Sequence, residues 1–295
     1  MRALIMGGTT FFGKRLVAQL CDDGCEVTIA TRGLTPDDFG DAVDRVRFDR
    51  TSLASMEAAF SDSLFDVVFD QIGYAPDDVE DACRVFTGKI GHYVFTSSNA
   101  VYTSPGARLT EDAFDPMSIP PGRGRMTELG YADGKKQAEA YLFQHAPFPV
   151  AAARFPVVLG WDDPTGRVQF HVGRVVRGEP LVVGRPCGRM NYVVAEDAGR
   201  FLAWLGTTRR VGPYNGGCLD AIDAGEMVER IARALGKVPQ LRMRGGDQDK
   251  SAFCLPDGDW TMDMAKAQLD GFHFTPIDEW FPEMVRETAR RQAAY

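Results

Sequence analysis

The sequence predicts an α/β protein, a doubly wound parallel sheet followed by a smaller C-terminal lobe, on three observations. Six short β-branched or apolar runs alternate with amphipathic stretches through the first 160 residues. A glycine-rich turn, MGGTTFFG, joins the first run to the first amphipathic stretch. Beyond about residue 160 the alternation gives way to short pieces punctuated by Gly and Pro (WDDPTG, RGEP, GRPCG, VGPYNGG).

The predicted strands are Arg2 to Met6, Glu26 to Thr31, Val46 to Phe48, Asp66 to Asp70, His92 to Thr96 and Val150 to Val158. Between them, Phe12, Leu16 and Leu20 recur at helical spacing before Gly24, and Val79, Ala82, Cys83 and Phe86 do so before Gly88. These are crossover helices ended by glycine caps. Right-handed crossovers between parallel strands place a ligand at the strands' carboxyl ends. The expected division is a nucleotide-binding domain over 1–160, with a returning segment near 188–212, and a substrate lobe over most of 161–295. The Pro-, Gly- and Arg-rich stretch from Pro105 to Gly124 reads as a long loop, a lid or substrate loop.

With 295 residues and 44% apolar content the chain can bury a large core. A net charge of -8 argues against a protein devoted to nucleic-acid backbone or anionic membrane. No apolar run approaches the roughly 20 residues a membrane span needs. Six cysteines without a Cys-x-x-Cys pair read as buried thiols in a reducing, cytoplasmic setting. The four histidines lack ligand spacing, so no metal is expected.

A glycine turn between a strand and a helix is the setting of a phosphate-binding fingerprint, because the helix N-terminus offers free N–H groups and a positive dipole end. Gly7 suits the tight turn and Gly13 the close helix-to-strand packing. The middle glycine is replaced by Thr10, with Gly8 available to restore backbone freedom. Strand two ends Ala30-Thr31-Arg32-Gly33, with no carboxylate at its tip for a ribose hydroxyl and an arginine beside it. That favours NADP over NAD.

Strand five ends in TSSNAVY, and YADGK follows about thirty residues later on a helical run. Tyr131 and Lys135, at i and i+4, share a helix face. A lysine ammonium beside a phenol favours the phenolate, which suits Tyr131 to acid/base work, while Ser98 can hydrogen-bond the same substrate oxygen.

In this order and spacing the motifs resemble the extended short-chain dehydrogenase/reductase family of sugar-nucleotide epimerases, dehydratases and reductases, built on a Rossmann fold. RFPVVLG (154–160) looks like the family's Arg-Pro segment, YVVAED (192–197) like its strand leading to an Asp-capped helix, and Tyr214-Asn-Gly-Gly217 like its Tyr-Asn-x-Gly turn. Asp263-Met-Ala-Lys-Ala267 and Phe272 look like elements of its substrate lobe.

The resemblance implies Tyr131 as general acid/base, Lys135 as its partner and ribose ligand, and Ser98 as orienter of the substrate oxygen. It implies that Asp49 contacts the adenine and that Phe155 lines the cofactor site with Thr9, Phe11 and Phe12 of the turn. The GGTxFxG form of the turn occurs within the family, among bacterial epimerase-like proteins and chloroplast stem-loop-binding proteins. It further implies a homodimer formed through the Tyr131 helix, with Ala138 and Tyr141 or Leu142 on the contact face.

Some positions depart from the family pattern. Asn99-Ala100 stands where 4,6-dehydratases carry an Asp-Glu pair, which disfavours water elimination. Met190, with Arg189 one place earlier, stands at the arginine that grips a nucleotide diphosphate, and Val157 near the usual asparagine. The expectation is an NAD(P)-dependent epimerase-like enzyme acting on a sugar or sugar nucleotide. The alternatives are an NADPH-dependent carbonyl reductase and a non-catalytic RNA-binding protein using a basic loop around Arg108, Arg123 and Arg125.

Overall fold

The structure, a computed structural model, describes residues 1–184, 187–243, 246, 250–253 and 258–294. Cys254 lies outside them; the other five cysteines are free thiols. The chain divides into two compact units, one of Met1–Thr103, Glu111–Phe155 and Glu196–Gly216, the other of Ser104–Thr110, Pro156–Ala195 and Gly217–Tyr295.

The first unit holds a seven-stranded parallel sheet. Its strands are β1 (Arg2–Met6), β2 (Glu26–Thr31), β3 (Asp44–Arg47), β4 (Val67–Asp70), β5 (Tyr93–Ser98), β7 (Val150–Phe155) and β11 (Gly212–Asn215). They lie in the order β11-β7-β5-β4-β1-β2-β3, so the winding reverses beside β1 and the glycine turn opens at that switch point.

Strands buried on both faces need continuous apolar sequence, and Ala3, Leu4, Ile5 and Met6 are each fully buried. On one face α1 (Phe11–Asp22) and α7 (Ala195–Thr207) meet the sheet, a Cβ on Gly199 or Gly206 having no room beside Arg15 and Phe69 respectively. On the other, α2 (Leu53–Ala59), α3 (Pro76–Phe86) and α5 (Tyr131–His145) build a core in which Val79, Phe86, Ala138 and Leu142 pack on Leu4, Val68, Phe95 and Ala152. Ala138 and Leu142 therefore face this chain's own core, which corrects their expected place on a dimer surface.

The sixth predicted strand is broken at Pro156, which has no N–H to give a ladder. Its second part, β8 (Val157–Leu159), joins β10 (Met190–Val194) in the second unit. The sheet there also contains β6 (Gly106–Leu109), β12 (Ala221–Ile222) and β14 (Trp260–Met262), while β9 (Pro180–Val182) pairs with β13 (Gln240–Arg242). The helices α6 (Arg167–Arg177), α8 (Ala224–Leu235) and α10 (Ile277–Ala293) enclose a core including Val172, Tyr192, Val228 and Phe281. A short α9 (Ala265–Leu269) completes this unit, and a single-turn α4 (Met126–Leu129) precedes α5 in the first.

The stretch from Pro105 to Gly124 begins with β6, and its later residues are tied down on α3 and α5. Gln144 Nε2 donates to the carbonyls of Pro116 and Ile119, and Gly122 N donates to Gln137 Oε1. Arg125 then forms ion pairs with Asp78 and Asp81. No helix among the described residues is long and apolar enough to cross a membrane.

Candidate active site

The glycine turn has a backbone that explains its spelling. Gly7 and Gly8 sit at φ 109° and 93°, open to glycine at little cost. Thr10 is extended, at φ -138° and ψ 154°, with its side chain exposed, so this position makes no demand for glycine and a β-branched residue fits it. The left-handed step falls one residue later, on Phe11 at φ 49°. Such a non-glycine residue must be held by its surroundings. Phe11 is buried edge-on to Phe12, which packs at 6.0 Å on Phe155.

Gly13 lies where a Cβ would stand 2.4 Å from Gln71 Oε1 and 3.1 Å from the Gly8 Cα. Bare backbone on Gly7 and Gly13 at the start of a twelve-residue helix could hold a diphosphate, while a Cβ on Gly8 would press into Val17, Ile5 and Ile29. The absence of a Cβ on Gly7 and Gly13 fits a dinucleotide there.

Lys135 is almost fully buried, and its ammonium donates to the carbonyls of Gly73 at 2.7 Å and Thr96 at 2.6 Å. The rings of Tyr74, Phe95 and Tyr131 surround it at 4.6, 4.7 and 6.0 Å. Burial pushes its pKa down to about 8, and the buried carboxylates of Asp70, Asp78 and Glu139 offset part of that loss. Tyr131, the first residue of α5, is 47% exposed above it. Ser98 ends the strand whose Thr96 carbonyl holds Lys135, and its Oγ accepts from Ala100 N at 3.2 Å. Helix α5 and strand β5 thus bring Tyr131, Lys135 and the Ser98 strand end together.

Periodicity carries further than the predicted set. Glu139, one turn beyond Lys135, is fully buried, forms an ion pair with Arg154 at 2.6 Å and accepts from Ser97 Oγ. Arg154 also donates to the carbonyls of Glu111 and Phe114, and to Tyr102, which in turn donates to Asn215 Oδ1. The i, i+4, i+8 series Tyr131, Lys135, Glu139 was a readable signal for this member.

A second buried pair, Arg50 with Asp70 at 2.5 Å, lies at the ends of β3 and β4, and Tyr93 OH also donates to Asp70. Gly73 packs over the pair with no room for a Cβ, and it is the Gly73 carbonyl that Lys135 holds.

Asp49 is exposed and accepts from the backbone and hydroxyl of Thr51, which lower its pKa. Arg32 and Arg47 are exposed at the ends of the neighbouring β2 and β3, and Arg47 lies across Gly33. Neither arginine forms an ion pair among the described residues.

In the second unit, Met190 is buried in the core, while Arg189 pairs with Glu226 at 3.0 Å and donates to the Ala221 carbonyl. Arg189 borders an open cavity of about 340 Å³, where it, Arg230 and Arg233 face Asp220, Glu226 and Glu229, a balanced set of charges. Among the described residues no group of three His, Cys, Asp or Glu is placed to hold a metal ion.

Residues 3–87, which hold the glycine turn and the first four strands, match the NAD dependent epimerase/dehydratase family. Over nearly its whole length the chain shares the Rossmann-like fold of solved epimerase structures. It is similar to the Thermus thermophilus UDP-glucose 4-epimerase in complex with NAD, with 22% identity, 98% of each chain covered and a TM-score of 0.75. The Bacillus cereus UDP-glucuronic acid 4-epimerase in complex with UDP-glucuronic acid and NAD aligns at 15% identity over 99% of this chain and 100% of that one, with a TM-score of 0.77.

A curated relative, the chloroplast stem-loop binding protein of 41 kDa b of Arabidopsis thaliana, is 31% identical over 137 residues, 41% of this chain. The match spans 36% of that protein.

Proposed function

We propose that this chain is an NAD(P)-dependent oxidoreductase of the epimerase type, acting at a hydroxyl or carbonyl carbon of a sugar or sugar nucleotide. The observation that carries the reading is the buried Lys135 ammonium beneath a half-exposed Tyr131, beside the strand ends where the glycine turn opens. When bound, the dinucleotide supplies the hydride acceptor and donor at its nicotinamide.

Tyr131 takes the proton from the substrate hydroxyl as the carbon is oxidised and returns it on reduction. Lys135, held by two carbonyls, keeps a positive charge beside the phenol, and Ser98 orients the reacting oxygen. The bare backbone of Gly7 and Gly13, Phe155 and the strand-end residue Asp49 would hold the dinucleotide. Arg32 and Arg47, with no carboxylate on the tip of β2, support NADP over NAD.

Tyr131→Phe is expected to bind NADH or NADPH like the parent and to lose roughly 10² to 10⁴ in turnover on a panel of nucleotide sugars and carbonyl compounds. Activity retained in that variant would sink the mechanism. Parent turnover should fall above about pH 8, as Lys135 loses its proton. Tightly bound, oxidised cofactor in the purified protein favours epimerisation, and freely exchanging cofactor favours net reduction.

The name of the plant relative motivates a second reading, RNA binding. The loop arginines speak against it: Arg108 pairs with Asp263, Arg123 with Glu80, and Arg125 with Asp78 and Asp81. A salt-dependent RNA mobility shift that persists in Tyr131→Phe would favour it.

A further inference from the structure

Helix α5 carries a glycine, Gly134, one position before Lys135, where glycine lowers helix stability. A neighbouring segment explains it. A Cβ on Gly134 would stand 2.5 Å from the Tyr74 carbonyl oxygen, so bare backbone is what lets Tyr74 come this close to α5. Tyr74 is fixed from the other side as well: its N–H donates to Asp78 Oδ2 at 2.8 Å, and Pro76 opens α3 two residues on.

The close approach delivers a ring. The Lys135 ammonium lies over the face of the part-buried Tyr74, 4.6 Å from its centroid, nearer than the 6.0 Å to Tyr131. The Tyr74 and Tyr131 centroids are themselves 6.4 Å apart. Two N–H groups of the ammonium go to the carbonyls of Gly73 and Thr96, and the third has no oxygen acceptor among the described residues. An aromatic face is negative at its centre and attracts a desolvated cation without offering a lone pair. The Tyr74 hydroxyl makes no hydrogen bond among the described residues, so the ring face is the part engaged.

We propose that Tyr74 is a positioning residue whose ring face holds the Lys135 ammonium in place and charged beneath Tyr131. The proposal rests on the acid/base reading of Tyr131 and Lys135 above and adds to it a residue from the connection between β4 and α3. It also accounts for Gly134, whose missing side chain lets Tyr74 reach the lysine.

The test is a pH titration of isotope-labelled lysine followed by NMR in the parent, Tyr74→Phe and Tyr74→Leu, with the Lys135 resonance assigned by its loss in Lys135→Met. Besides Tyr74, the groups facing Lys135 are Tyr131 and Glu139 of α5, Asp70 at the end of β4, Asp78 of α3 and Arg50 after β3, with Phe95 and the Thr96 carbonyl from β5. The variants change none of these, so a shift belongs to the ring. The parent midpoint is expected at about 8, and Tyr74→Phe, which keeps the face, should match it. Tyr74→Leu removes the face and keeps an apolar cover, so the charged form loses support and the midpoint should fall by about one pH unit, a tenfold weaker hold on the proton.

An unchanged midpoint in Tyr74→Leu overturns the proposal. A rise toward the ordinary 10.5 overturns it too, since it marks Tyr74 as a plug against water, and so does a fall in Tyr74→Phe equal to that in Tyr74→Leu. If Tyr74→Leu fails to fold, Tyr74→Met is read by the same criteria. The titration uses no substrate, so it decides the proposal separately from the acid/base reading, which falls if Tyr131→Phe keeps its turnover.

Discussion

The two units bury polar groups in different ways. In the first, Arg50, Asp70, Asp78, Lys135, Glu139 and Arg154 are all buried, most of them at or beside the carboxyl ends of strands. In the second, the buried Asp, Glu, His, Lys and Arg side chains among the described residues are Asp163 and His171, each hydrogen-bonded within that unit. Burying ions is expensive, and it seldom improves stability over an apolar core of the same shape. The first unit concentrates that cost around Lys135, where a fixed ammonium and a fixed field have a chemical use. The second unit is closer to an ordinary apolar core, with a histidine used as a hydrogen-bonding strut.

The sharpest way to break this contrast is to remove one partner of the fully buried pair. Glu139→Leu leaves the Arg154 guanidinium uncompensated and should lower unfolding free energy by about 3–5 kcal/mol in a denaturant titration. A loss below about 1 kcal/mol would mean that the first unit tolerates stray charge as easily as a surface does.

The second unit gives the next largest effect, through pH. His171 Nδ1 bonds the Arg167 carbonyl and its Nε2 bonds Ser251 Oγ, and burial pushes its pKa down to about 4. The unfolded chain, with an ordinary histidine near 6.5, binds the proton more readily in the window between, so stability is full above about pH 6.5 and falls as pH drops toward 4. The drop should approach about 3 kcal/mol by the size of the shift. His171→Gln should flatten it in unfolding midpoints followed against pH, and an unchanged slope would show that other groups carry it.

The smallest effects separate two neighbours in the glycine turn. Gly13→Ala drives a Cβ into Gln71 and the Gly8 backbone, and should cost about 1–3 kcal/mol as overpacking does, along with dinucleotide affinity. Thr10→Gly should cost less than about 1 kcal/mol, since Thr10 is extended, exposed and makes no side-chain cap. Thermal melts and NADPH titrations of the two variants compare them directly. Equal effects would erase the distinction between a glycine that the packing requires and one the turn can do without.

Much of this was legible in the chain. Runs such as Ala3 to Met6 and Val67 to Phe69 read as buried strands because both faces of a parallel sheet are covered and their positions are apolar. Tyr131 and Lys135 were legible because helix geometry places i and i+4 together whatever surrounds them. The break at Pro156 was foreseeable from proline chemistry, but the transfer of Val157–Leu159 to a different sheet depended on β10, about thirty residues later.

The sequence by itself determined the strand and helix alternation, the place of the glycine turn and the pairing of Tyr131 with Lys135, because each follows from local periodicity and backbone chemistry. Only the tertiary structure decided that Thr10 is harmless and Phe11 takes the left-handed step, that Ala138 and Leu142 turn inward, and that Gln71 reaches the glycine turn. Those outcomes depend on neighbours brought from distant parts of the chain, and a linear pattern carries no record of which strand comes to lie beside which.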